Sequence, residues 1–118
     1  MARPAVGKEL FSGTLPLMVL RLIGETDHYG YLIIKRIGRL SGGAFEFKEG
    51  TLYPILHSFE RDGLVTGYWR EAGGRRRRYY RITDAGMAEL SRRRTEWSSF
   101  VNAMDGVLTG EVADEASN

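Results

Sequence analysis

The stretch EGTLYPILHSFERDGLVTGYWREAGGRRRRYYRITDAG, residues 49–86, changes its periodicity part-way along, and that change decides the fold. Across residues 51–62, Leu52, Ile55, Leu56 and Phe59 recur at helical spacing, while Tyr53, His57, Ser58 and Arg61 fall on another face. Pro54 is tolerated in the first turn, where an amide has no intrahelical acceptor, and Gly63 marks the stop. Residues 64–70 and 76–83 are then rich in Val, Thr, Tyr, Trp and Ile, and the segment 71–75 between them carries two glycines. The pattern predicts a helix with a free polar face, followed by a two-stranded ribbon with arginines at its tip.

Upstream, Thr14 can cap a helix whose first turn takes Pro16. Leu15, Met18, Val19 and Leu22 repeat at helical spacing up to Gly24. After a turn at 25–28, Leu32, Ile33, Ile37 and Leu40 alternate with Lys35 and Arg36 in a second amphipathic helix, closed by Ser41-Gly42-Gly43. Downstream, Thr83 or Asp84 can cap a last helix on which Leu90, Arg94, Trp97, Val101, Met104 and Leu108 follow one another at spacings of 4, 3, 4, 3 and 4. That is the seam of a packed helix pair. Residues 109–118, small and acidic, are expected to form a disordered tail. The predicted division is 1–83 for the helices and ribbon and 84–108 for a dimerisation helix, with Leu90, Trp97, Val101, Met104 and Leu108 at the dimer contact.

The chain has 118 residues, 42% hydrophobic and 27% charged, enough for one core and too few for two ordinary domains. It has no Cys, which removes disulfides, thiolate metal sites and thiol nucleophiles and suits a reducing cytoplasm. The apolar run 15–20 is too short for a membrane span or a signal-peptide core, so a cytoplasmic protein with no membrane partner is expected. The formal charge of +2 conceals an asymmetry. Between Arg70 and Arg94 nine Arg face three acids, a local balance of +6 that leaves −4 for the rest. Positive charge concentrated in this way suits a polyanion.

Helix, helix, helix, hairpin is the order of a winged helix, a mostly α, α+β fold in which the third helix enters the DNA major groove and the hairpin wing touches backbone or minor groove. The residues 13–20, HYGYLI (28–33), EGTLYPILHSFERDGLV (49–65), GGRRRRYYRITDAG (73–86) and Trp97 strongly resemble the PadR family of bacterial transcriptional regulators. The resemblance covers residues 11–104, and the single C-terminal helix resembles the family's short branch. It implies a homodimeric winged helix-turn-helix repressor of a palindromic operator, often released when a small aromatic or amphiphilic effector binds.

Arg75, Arg76, Arg77 and Arg78 are phosphate candidates, because four adjacent guanidiniums at a glycine tip repel one another unless an anion is present; strand alternation lets about half of them face one backbone at once. The plain alternative is a solvated hairpin. Thr51, Tyr53 and His57 lie in the first turns of the third helix as DNA-contact candidates, with Lys48 just ahead of it; Tyr53 could instead pack in the core. With only His28 as a second histidine, on another element, His57 is not read as a metal ligand, and no cofactor is expected. Tyr29, Tyr31 and Tyr80 read as packing residues. Trp97 either fills the dimer seam alone or, with Phe100, also lines a pore between subunits where a planar guest stacks, as the resemblance to short family members implies. No catalytic motif is present: there is no GxSxG elbow, Walker A loop, HExxH helix or GxGxxG turn. A general or architectural nucleic-acid binder without an effector is the remaining alternative.

Overall fold

The computed structural model describes residues 6–111. It contains α1 (Lys8–Glu25), β1 (His28–Tyr29), α2 (Gly30–Leu40), α3 (Glu49–Arg61), β2 (Val65–Ala72), β3 (Arg75–Ile82) and α4 (Asp84–Thr109). The mostly α, winged-helix α+β architecture follows the sequence expectation. Leu15, Val19 and Ile23 of α1, Ile33 and Ile37 of α2, and Leu52, Leu56 and Phe59 of α3 meet in one core, closed by Val65, Tyr80 and Leu90. Each such side chain taken from water stabilises the fold by roughly 1.5–3 kcal/mol before entropy is counted.

The boundaries differ from expectation where tertiary contacts outweigh local signals. α1 starts at Lys8, not at Thr14, so Pro16 lies inside the helix and the Thr14 hydroxyl donates to the Leu10 carbonyl at 2.8 Å. Phe11, one turn earlier, packs its ring 5.4 Å from Phe45 and 5.6 Å from Phe47, and these contacts offset the weak helix propensity of Ser12 and Gly13. α3 starts two residues before Thr51, with Lys48 at its N-cap position. The hairpin is tighter than a five-residue tip: Gly73 and Gly74, both at positive φ, make a two-residue turn, so the strands reach Ala72 and Arg75.

The ribbon is also not two-stranded. β1 adds to it, giving an antiparallel sheet in the order β1-β3-β2, with His28 opposite Tyr80 and Tyr29 opposite Tyr79. α4 is capped as anticipated by Thr83, whose hydroxyl oxygen accepts from the Gly86 amide at 3.0 Å. Thr109 still belongs to α4 and Gly110 closes it in the left-handed region; of the expected tail, 112–118 lie outside the described residues. No helix among the described residues is long and apolar enough to cross a membrane.

Candidate nucleic-acid interface and effector cavities

On α3 the helical period separates a buried row, Leu52, Leu56 and Phe59, from an exposed one, Thr51, Pro54, His57 and Arg61. Thr51, His57 and Lys48 therefore stand free for a partner. Tyr53 does not. Its hydroxyl lies where a Cβ on Gly30 would stand, 3.1 Å away, so the ring fills the α2–α3 contact, and burial together with the nearby Glu49 carboxylate pushes its phenol pKa up. Tyr53 is half-buried and packs against the core, the alternative that the sequence leaves open for it.

In the wing, the four consecutive arginines divide between the two faces of the sheet. Arg76 and Arg78 share the core-facing side with Tyr80. Arg78 donates to the Glu60 carboxylate of α3 at 2.8 Å, both side chains about a third exposed, and both Arg76 and Arg78 lie over the Trp69 ring. Gly67 is what admits the Arg78 guanidinium, since a Cβ there would stand 2.6 Å from it. The Arg78 charge is thus already matched by Glu60 within the protein. Arg75 and Arg77 lie on the outer side with Tyr79 and Arg81. There Tyr29, Tyr79 and Tyr68 pack ring against ring at 5.2 and 5.9 Å. Arg77 covers Tyr29, Arg70 covers Tyr79 and Arg81 covers Tyr68 at 4.5–5.0 Å.

Asp27, just before β1, holds the base of this outer face. It accepts from the Tyr68 hydroxyl and from Arg81 at 3.0 Å. Burial would raise its pKa, but these two donors outweigh it and the carboxyl ends below its ordinary value. His28, fully buried, donates from Nδ1 to the Thr26 carbonyl at 2.7 Å, which leaves Nε2 to accept from Arg36 Nη1 at 3.0 Å. Arg36 in turn donates to Glu25. Desolvation, helped by the Arg36 charge, holds the His28 pKa below 6.5. A lone His after a turn carries no sequence signal for such a role, and the same is true of Asp27.

α4 extends past the core, and its apolar side is uncovered. Trp97 and Met104 are 41% exposed, Phe100 50% and Leu108 74%, with Val107 more exposed still; Val101 is half-buried. Leu90 is different. It is 7% exposed and sits in the core of its own chain, against the site where a Cβ on Gly24 would be 2.9 Å away. The assignment of Leu90 to a dimer contact is corrected accordingly. The Trp97 ring lies 6.0 Å from that of Phe100, tilted by 31°, and forms a wall shared by two cavities. One, of about 530 Å³, lies between α1, α2 and α4 and includes Leu17, Ile37, Phe45, Arg36 and Arg94. The other, of about 450 Å³, lies between α1 and α4 and includes Phe100. Among the described residues no group of three or more His, Asp or Glu is placed to hold a metal ion.

Comparison with known proteins places this geometry. The profile of the transcriptional regulator PadR-like family matches residues 19–92. An uncharacterised protein of Lysinibacillus sphaericus is 35% identical over 106 residues, 89% of this chain and 97% of its own. The transcriptional regulator Rv3488 of Mycobacterium tuberculosis is 33% identical over 84 residues, 71% of this chain and 76% of its own. Among solved structures, a PadR-like transcriptional regulator of Bacillus cereus superposes with a TM-score of 0.77 at 28% identity, covering 88% of this chain and 100% of that one.

Proposed function

The chain belongs to the PadR-like family of transcriptional regulators, and on that premise we propose that it is a homodimeric repressor of a palindromic operator, released by a small aromatic ligand. Members of this family are transcriptional regulators and not enzymes, and DNA is their target. The observation that carries the DNA reading is the exposed row Thr51, His57 and Arg61 on α3 beside the basic wing, whose surface carries Arg75 and Arg77. A helix N-terminus in the major groove with a basic ribbon on the adjoining backbone is how winged helices engage a duplex.

In this proposal residues 1–83 bind DNA, with Lys48, Thr51 and His57 at the groove, and residues 84–108 join two copies through Trp97, Val101, Met104 and Leu108. A row of apolar side chains this exposed on a small soluble chain calls for a cover, and a second α4 supplies one of the same shape. Trp97 and Phe100 then stand where a planar guest can stack, and the protein works in the cytoplasm. Selection of bound duplexes from a random pool at near-physiological salt tests the proposal. A palindromic consensus with half-sites about one helical turn apart is expected. Recovery of DNA with no defined centre would instead support an architectural binder.

A further inference from the structure

Alternation along β3 sends neighbours to opposite faces, so a run of four arginines need not be one binding site. On the core-facing side, Arg78 pairs with Glu60, and both Arg78 and Arg76 lie over the Trp69 ring, Arg76 without an ion pair among the described residues. On the outer side, Arg70, Arg75, Arg77 and Arg81 meet only Asp27, which is taken by Arg81. Three guanidiniums of the outer face, those of Arg70, Arg75 and Arg77, form no ion pair among the described residues, although Arg70 feels the Asp27 charge.

We propose that this outer face, with Arg70 and Arg77 held over the rings of Tyr79 and Tyr29 and Arg75 beside them on the same side of β3, is the surface of the wing that takes the DNA backbone, and that Arg76 and Arg78, over Trp69, serve the wing's own structure. The proposal rests on the DNA-binding reading above and deepens it by choosing between two faces of one arginine run. A guanidinium lying over an aromatic ring is held by its face, and its N–H donors remain at the edge, where a phosphate can accept from two of them. Arg77 spends one donor on the Ala72 carbonyl at 3.4 Å and keeps the rest. The rings thereby restrict Arg70 and Arg77 before DNA arrives and lower the ordering cost of binding. Arg75 and Arg77 are two residues apart on one strand face, about 7 Å, a spacing that suits consecutive phosphates of one DNA strand. Tyr29 and Tyr79 are positioning residues in this scheme.

The test uses the full chain and a mixed-sequence duplex of about 30 base pairs, with anisotropy read across a salt series. Arg75→Ala with Arg77→Ala is expected to weaken binding by roughly tenfold or more near 0.1 M salt. It should also reduce the log-log salt slope by about 2 for each wing engaged. Arg76→Ala alone, an exposed tip substitution that breaks no ion pair, should leave the slope within about half a unit; the Arg76→Ala, Arg78→Met pair should do the same if its melting curve shows it folded. Tyr29→Leu should lower affinity several-fold at an unchanged slope, and Tyr29→Phe should restore it. Equal flattening by Arg75→Ala and Arg76→Ala overturns the choice of face, as does a steep parental slope that the outer pair leaves intact. A parent without salt-dependent binding to duplex would instead remove the DNA reading itself.

Discussion

Gly86 tests whether the joint between wing and α4 is as tight as its geometry requires. A Cβ added there would stand 2.1 Å from the Leu64 carbonyl oxygen and 2.6 Å from Ile82 Cγ1, so the backbone must move by more than about 1 Å to reach ordinary contact. That carbonyl accepts from the Thr83 amide at 3.0 Å, and the Thr83 hydroxyl donates to Gly63 at 2.6 Å while capping α4. Gly86→Ala therefore adds overpacking, at roughly 1–3 kcal/mol, and weakens two hydrogen bonds worth about 1 kcal/mol each. Against this stands a gain of up to about 1 kcal/mol in helix propensity. The net expectation is a loss of about 2–4 kcal/mol, or about 10 °C or more in Tm. Thermal unfolding followed by circular dichroism measures it, at one protein concentration because association shifts Tm. Gly50→Ala in α3, where nothing lies within 4 Å, is the control and should be neutral or slightly stabilising. A Gly86→Ala protein within 1 kcal/mol of the parent, or a Gly50→Ala protein destabilised as much, would refute the steric account. Because Gly86 also sets the angle between α4 and the wing, the folded fraction of the variant should bind operator more weakly.

Three further outcomes are expected. His28 has a folded-state pKa below its ordinary 6.5, so its contribution is fully present above that pH and is lost as pH falls through the folded value; stability should fall by up to about 1.4 kcal/mol per pH unit in that window, and urea titrations of His28→Gln should lack that component. Val101→Glu with Met104→Glu places charge on the exposed side of α4 and should give monomers in sedimentation velocity that bind operator weakly; surviving dimers would contradict the α4 contact. Planar aromatic compounds should quench Trp97 emission in a Trp69→Phe background and lower operator affinity. A tenfold drop requires only about 1.4 kcal/mol of preference between the two states of the dimer, and Trp97→Ala binding as well as the parent would exclude the stacking role.

Much of this protein was legible in its residues because the determining interactions are local. The α3 row Leu52, Leu56, Phe59 and the stop at Gly63 follow from helical period and a positive φ of 74°. The turn Gly73-Gly74 and the cap at Thr83 likewise depend on neighbours within four residues. The exposed seam of α4 and the charge concentration of the wing were also readable, since both are patterns along the chain.

What required the tertiary structure was how long-range partners divide those patterns. β1 is two residues long and exists only because β3 offers an edge to His28 and Tyr29. The early start of α1 depends on Phe45 and Phe47, more than thirty residues away. Leu90 continues the α4 seam in sequence, yet belongs to the core because α4 crosses α1 at Gly24. Tyr53 looked free until α2 brought Gly30 beneath its hydroxyl. The arginine run shows the same limit. The sequence alone determined that the tip of the ribbon is basic, because charge is carried by each residue wherever it sits. Which arginines remain unneutralised was decided only when folding brought Glu60 to Arg78 and the tyrosines of two strands beneath Arg70 and Arg77. An ion pair or a stacked ring is a property of positions in space, and sequence separation neither forbids nor implies it.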